Sequence, residues 1–190
     1  MKRTLFTSFL ILVTTILFSQ QSRPFGLRMG MNLNEVSDVC HNIIHFTVGE
    51  GPYLYYLTPK NNSSLFKDYY VRIHPDMGLY FISAAGSVIY SDSIGTEINS
   101  AFSEFVLNIS AIYGHYEIIS YVDSRNNVSR NIYYAIWDRE RGSNIPDDMS
   151  KIKVEINSYT SRMGVITIEY HSLDEPPFIE ERKSTDYSVF

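Results

Sequence analysis

The chain has 190 residues, 44% of them hydrophobic and 14% aromatic, with a formal charge of −5 and one cysteine. That apolar content excludes a disordered chain, and the length fits one domain of ordinary size. The lone Cys40 excludes an internal disulfide framework, a CxxC redox pair and a four-cysteine zinc site, and the acidic balance argues against a nucleic-acid or anionic-membrane surface, which needs clustered Lys and Arg.

Residues 1–19 read as a secretory signal peptide: basic Lys2 and Arg3, an uncharged apolar and hydroxylated run over 5–18, then small Ser19, after which cleavage is expected. The run is shorter than the roughly 20 apolar residues of a spanning helix, so no stable membrane insertion is expected after cleavage. No cysteine stands near the junction to carry a lipid. Without Lys2 and Arg3 the chain keeps 14 basic against 21 acidic residues, a charge of −7, and its expected location is the periplasm or the exterior.

The first helix is expected to open at Asn32, a good N-cap, with Glu35 three residues on to complete a capping box and Met31 and Val36 to form a hydrophobic staple. Leu33, Val36, Val39 and Cys40 carry it to about His41. Short β-branched or aromatic runs at 43–48, 53–58, 69–74, 79–83 and 88–90 follow as strands, separated by Gly, Pro, Asn and Asp turns. Between Gly95 and Gly114 the residues Ile98, Ala101, Phe102, Phe105, Ile109, Ile112 and Tyr113 make a helical stripe, with Ser93 or Thr96 as the cap and Gly114 past the end. Strands are expected again at 116–122, 131–138, 151–157 and 165–171, the last two forming a hairpin in which Lys151, Lys153 and Glu155 alternate with Ile152, Val154 and Ile156.

Strands grouped between helices predict an α+β fold, an antiparallel sheet with two helices packed on one face, whose two helix-then-strands halves are compatible with a diverged duplication. The expected division is a leader over 1–19, one α+β domain over 24–172 and a loose C-terminal tail over 173–190, rich in charge and proline.

Phe25-Gly26-Leu27-Arg28-Met29-Gly30-Met31-Asn32-Leu33-Asn34-Glu35-Val36 resembles the opening of many small exported bacterial domains. Among these are the SmpA/OmlA-type outer-membrane assembly lipoproteins and the β-lactamase-inhibitor-like fold. A second stretch, from Gly78 through Glu97 to Gly114, is similar to a widespread group of bacterial proteins. The resemblance implies a small α+β binding module and carries over no catalytic residue.

Chemistry-bearing motifs are sparse. GxSxG, GxxxxGK, GxGxxG and HExxH do not occur, so no catalytic residue, metal ligand or cofactor is assigned. Cys40, His41 and His45 lie close in sequence, but neighbours on a helix diverge, and a buried thiol beside two helix-end histidines is the expectation. His74 with Asp76 and His115 with Glu117 have the i, i+2 spacing that puts two side chains on one strand face, and His171 ends the last strand. These support an alternative function, a hydrolase-like enzyme using His plus Asp or Glu in a cleft.

Fifteen tyrosines against one tryptophan are a biased set, and three pairs are adjacent: Tyr55-Tyr56, Tyr69-Tyr70 and Tyr133-Tyr134. Adjacent strand residues face opposite sides, so each pair should send one ring to the helices and one outward. The outward rings would then form an aromatic patch, suited to recognition because Tyr offers a large contact area at low entropic cost. The expected function is that of an exported, non-enzymatic binding module, which holds a protein or peptide partner in the bacterial cell envelope on this face.

Overall fold

The computed structural model describes residues 23–46, 53–125, 128–160 and 162–174. The leader over 1–19, the turn at 49–52 and the tail beyond 174 lie outside the described residues.

Helix α1 spans Leu33–Val39 and begins as its sequence dictates. The Asn32 side chain accepts from the amides of Asn34 and Glu35, and the Glu35 carboxylate accepts from the Asn32 amide at 2.8 Å. The helix stops at Val39, before His41, because Cys40 is already extended and opens the first strand. Ile43 and Ile44, stiff at χ1, favour pairing over another helical turn.

Each expected run contains a strand, with residues 47–48 outside the described ones: β1 Cys40–His45, β2 Leu54–Pro59, β3 Phe66–His74, β4 Gly78–Gly86, β5 Ile89–Tyr90, β6 Glu117–Arg125, β7 Val128–Asp138, β8 Met149–Thr160 and β9 Met163–Ser172. Helix α2, Thr96–Tyr113, lies between β5 and β6. Its buried stripe is Ile98, Phe102, Val106, Ile109 and Tyr113, with Ala101 and Phe105 partly buried against the core and the expected Ile112 exposed. Neither Ser93 nor Thr96 caps it. Gly95 takes the N-cap position in the left-handed region, where glycine alone is unstrained, and Asp92 supplies the acceptors from further back. Asp92 Oδ1 accepts from the amides of Ile94 and Thr96 at 3.1 and 2.9 Å, and Oδ2 from the Thr96 hydroxyl at 2.7 Å.

The amide and hydroxyl of Thr96 hold the Asp92 carboxyl below its usual range. A group with a lowered folded pKa stabilises above its unfolded pKa and loses that contribution as pH falls. Asp92→Ala is therefore expected to lower the melting temperature at neutral pH. The gap from wild type should narrow as pH falls below the ordinary aspartate value of about 3.9 and through the lowered folded one, where the wild type loses the same carboxylate. Thermal melts at neutral and at acid pH check this, and an equal gap at both would count against it.

The strands form one sheet in the order β1-β2-β3-β4-β9-β8-β7-β6, antiparallel throughout, with β5 pairing the start of β9. Each half is a helix followed by a four-strand meander running from the sheet edge inward, so its last strand, β4 or β9, ends at the centre. There β4 and β9 pair with each other, Ile82 opposite Tyr170 and Ala84 opposite Ile168. The connectivity thus repeats, and like element meets like element antiparallel.

Opposed residues in a ladder share a face, so the register fixes both sides of the sheet. Tyr55, Val71, Ile82, Tyr170, Ile152 and Trp137 lie across one face from β2 to β7. Beside them run Leu57, Tyr69, Ala84, Ile168, Val154 and Ala135. These join Val36 of α1 and Phe102, Val106 and Tyr113 of α2 in a single apolar cluster, so both helices cover this face. Trp137 is fully buried there and donates its indole N–H to the Gly114 carbonyl at 3.3 Å. Burial pushes the Tyr113 hydroxyl up to about 12.

The segment before α1 is tied to β4. The Gly30 amide donates to the Leu79 carbonyl at 2.7 Å, and the Leu79 amide to the Met31 carbonyl at 2.8 Å. Leu27 and Met29 are buried in the core. Gly78, at φ +77°, lies where this segment crosses β4, and a Cβ on it would stand 2.2 Å from the Gly30 carbonyl oxygen.

Candidate binding face

The other face of the sheet has no helix against it among the described residues. One line of paired residues crosses eight strands: Ile44, Tyr56, Tyr70, Ser83, Glu169, Lys153, Ile136 and Glu117. Parallel to it run Leu54, Arg72, Phe81, His171, Lys151 and Asp138 on one side. On the other side run Asp68, Ala85, Thr167, Glu155, Tyr134 and Ile119.

Each tyrosine pair splits between the faces, as strand alternation requires. Tyr55 and Tyr69 pack against the core on the helix side, Tyr69 exchanging hydrogen bonds with the Ser63 backbone. Tyr133 also faces the helices, its ring 5.0 Å from that of Phe102. Tyr56, Tyr70 and Tyr134 lie on the open face. Tyr56 and Tyr70 meet edge-on at 5.6 Å, with Phe46 6.3 Å from Tyr70. Tyr134 stands apart from them, beyond β4, β9 and β8, against Tyr121 and under the Lys153 ammonium at 5.2 Å. The outward rings therefore make two clusters and not one patch. A doublet fixes only the parity of its own strand, and the place of that strand in the sheet decides which rings meet.

Between the clusters lies a charged group. Lys153 pairs with Glu155 on its own strand and with Glu169 across the ladder at 3.6 Å, and His171 Nε2 is 3.5 Å from Glu169. Asn157 donates to Glu155 at 3.1 Å and to Thr167 Oγ1 at 2.9 Å. Glu155 and Glu169 keep only 16% and 20% of their side-chain exposure. Burial alone would raise the Glu169 carboxyl, but the His171 hydrogen bond and the Lys153 charge outweigh it, and its pKa is lowered. Burial likewise works to lower Lys153, and the two carboxylates more than offset it, leaving its pKa raised. The i, i+2 spacing of Glu169 and His171 was the sequence signal for this pair.

The two His–carboxylate pairs expected from spacing do not form. His74 Nδ1 accepts from the Asp76 amide at 3.2 Å, its ring lying 5.0 Å from Tyr53. Glu117 pairs with Arg141, while the His115 carbonyl accepts from Ser143. The three histidines sit at the end of β3, in the α2–β6 turn and on β9. Cys40 is buried at the start of β1, and burial, opposed by the Lys60 charge, pushes its thiol up to about 11, an unreactive value. His45 stacks on Tyr55 at 4.6 Å, and His41 pairs with Thr58. Among the described residues no three His, Cys, Asp or Glu side chains gather as metal ligands, and no helix is long and apolar enough to cross a membrane.

No protein family, no curated protein and no solved structure matches this chain.

Proposed function

We propose that the protein is an exported, non-enzymatic binding module that holds a protein or peptide partner of the bacterial cell envelope on the open face of its sheet. The observation that carries this is the uncovered line of Tyr56 and Tyr70 beside Arg72 and Phe81, on a sheet whose opposite face is closed by both helices. Paired aromatic rings with a neighbouring guanidinium are the side-chain types that dominate recognition energies. The uncharged leader-like run behind Lys2 and Arg3 supports export, and the resemblance of residues 25–36 to small exported domains supports a binding role.

The double variant Tyr56→Ser/Tyr70→Ser is expected to cut recovery of cross-linked envelope partners at least about tenfold, the scale of losing one interface hot spot. Tyr133→Ser, on the helix side, is expected to leave recovery unchanged. Quantitative mass spectrometry of the captured proteins reads both, and an unchanged partner set in the double variant would remove the proposal.

A further inference from the structure

We infer that Arg72 anchors an acidic side chain of the partner, so that the open face selects an extended peptide carrying Asp or Glu next to aromatic or aliphatic residues. The inference rests on the binding function proposed above and gives it a ligand chemistry.

Arg72 sits in β3 facing away from the core, half-buried, with its guanidinium carbon 5.9 Å from the centroid of the Phe81 ring. Leu54 is opposite it on β2, and Tyr70 and His74 flank it along β3. Among the described residues no carboxylate lies within ion-pair distance of Arg72 and its side chain donates no hydrogen bond to the protein. Of the other cations on this side of the sheet, Lys153 pairs with Glu155 and Glu169, and Lys151 stands three strands away along the same line. A guanidinium stays charged at every physiological pH and has five N–H donors. Half-removed from water without a counter-ion, it keeps an unmet demand for an anion. The Phe81 ring lies beside the guanidinium, a group whose planar fork matches a carboxylate bidentately.

The surroundings narrow the anion. A phosphate or a lipid headgroup is favoured by several uncompensated cations close together, and here the ladder partners of Arg72, Leu54 and Phe81, add no charge to its one. The amides of β3 are engaged in the ladders to β2 and β4, so there is no backbone nest to receive a chain terminus. A side-chain carboxylate meets both conditions. Tyr56 and Tyr70 offer apolar contact to the residues beside it, whereas Glu169, across Ser83 from Tyr70, disfavours a second acid on that side.

Panning the purified full chain against a displayed library of random peptides tests this. Selected sequences are expected to be enriched in Asp or Glu beside aromatic or aliphatic residues. Arg72→Met should weaken the best peptide at least tenfold while leaving the melting temperature within a few degrees, since no internal ion pair is broken. Replacing the acid of that peptide by its amide should cost as much, and the two changes together little more. Peptides without acidic bias that bind Arg72→Met equally but fail on Tyr56→Ser/Tyr70→Ser would overturn the role of Arg72 and leave the binding function standing. No enrichment above background would overturn both. Arg72-dependent binding to phosphatidylglycerol vesicles in place of acidic peptides would overturn the side-chain ligand in favour of a phosphate one.

Discussion

Gly78→Ala is expected to destabilise the protein by about 3 kcal/mol or more, lowering the melting temperature by roughly 6–12 °C. Two costs add. An alanine at φ +77° occupies a region that L-residues avoid, which costs about 1–2 kcal/mol. Its Cβ would also stand 2.2 Å from the Gly30 oxygen, 2.5 Å from the Gly30 carbonyl carbon and 2.9 Å from the Met31 oxygen, all of them backbone atoms that no rotamer change can move. To make room, the segment before α1 must lift from β4, breaking the Gly30–Leu79 and Leu79–Met31 hydrogen bonds and loosening Leu27 and Met29. Gly142→Ala separates the two costs, because Gly142 has φ +86° and nothing within 4 Å of the added Cβ. It should lose only the conformational part. Urea titration of the three proteins measures the difference, and equal midpoints for the two variants would show that the close approach of the segment to β4 does not matter.

Lys153→Met should cost about 2 kcal/mol at neutral pH, less than the 3–5 kcal/mol of breaking a fully buried pair because the carboxylates keep some solvent. The change keeps an unbranched apolar stem, one atom shorter, and removes the charge between Glu155 and Glu169, leaving two like charges on adjacent strands. Its pH dependence has a definite sign. In the wild type the Glu169 pKa is lowered, so its contribution is present above the unfolded carboxyl value and is lost as pH falls through the folded one. The Lys153 pKa is raised, so that contribution is complete below the unfolded ammonium value and is lost as pH rises through the folded one. The full effect therefore spans about pH 5 to 10. In Lys153→Met, protonating Glu169 relieves repulsion, so acidification from neutral pH toward about pH 4.5 should narrow the gap to wild type. Chemical denaturation across this range checks it, and a gap that widens on acidification would mean that the carboxylates are not held by Lys153.

Most of the fold was legible because each part of it has a local cause. The Asn32–Glu35 capping box, the glycines bounding α2 and the alternation of Lys151, Lys153 and Glu155 each act within a few residues, and the structure honours them. The departures are where a non-local contact wins. Cys40 leaves the helix because β1 pairs with β2, and Asp92 caps α2 from outside the window in which a cap is usually sought. The face was half legible. Alternation required each tyrosine pair to split without saying which ring faces outward, and the central pairing of β4 with β9 joins residues far apart in the chain and could not be read from spacing. That pairing separates Tyr134 from the other two outward rings. It also sets Phe81 beside His171, which joins the Arg72 side of the face to the charged group around Lys153 and Glu169.

The same central pairing has a consequence for how the chain reaches its native state. Until β9 has emerged, the inner edge of β4 has no partner, and a ribosome releases the first half before the strand that completes it. Closing so long a loop slows folding in general, and a sheet still lacking β9 would leave Ile82 and Ala84 without their cross-strand partners.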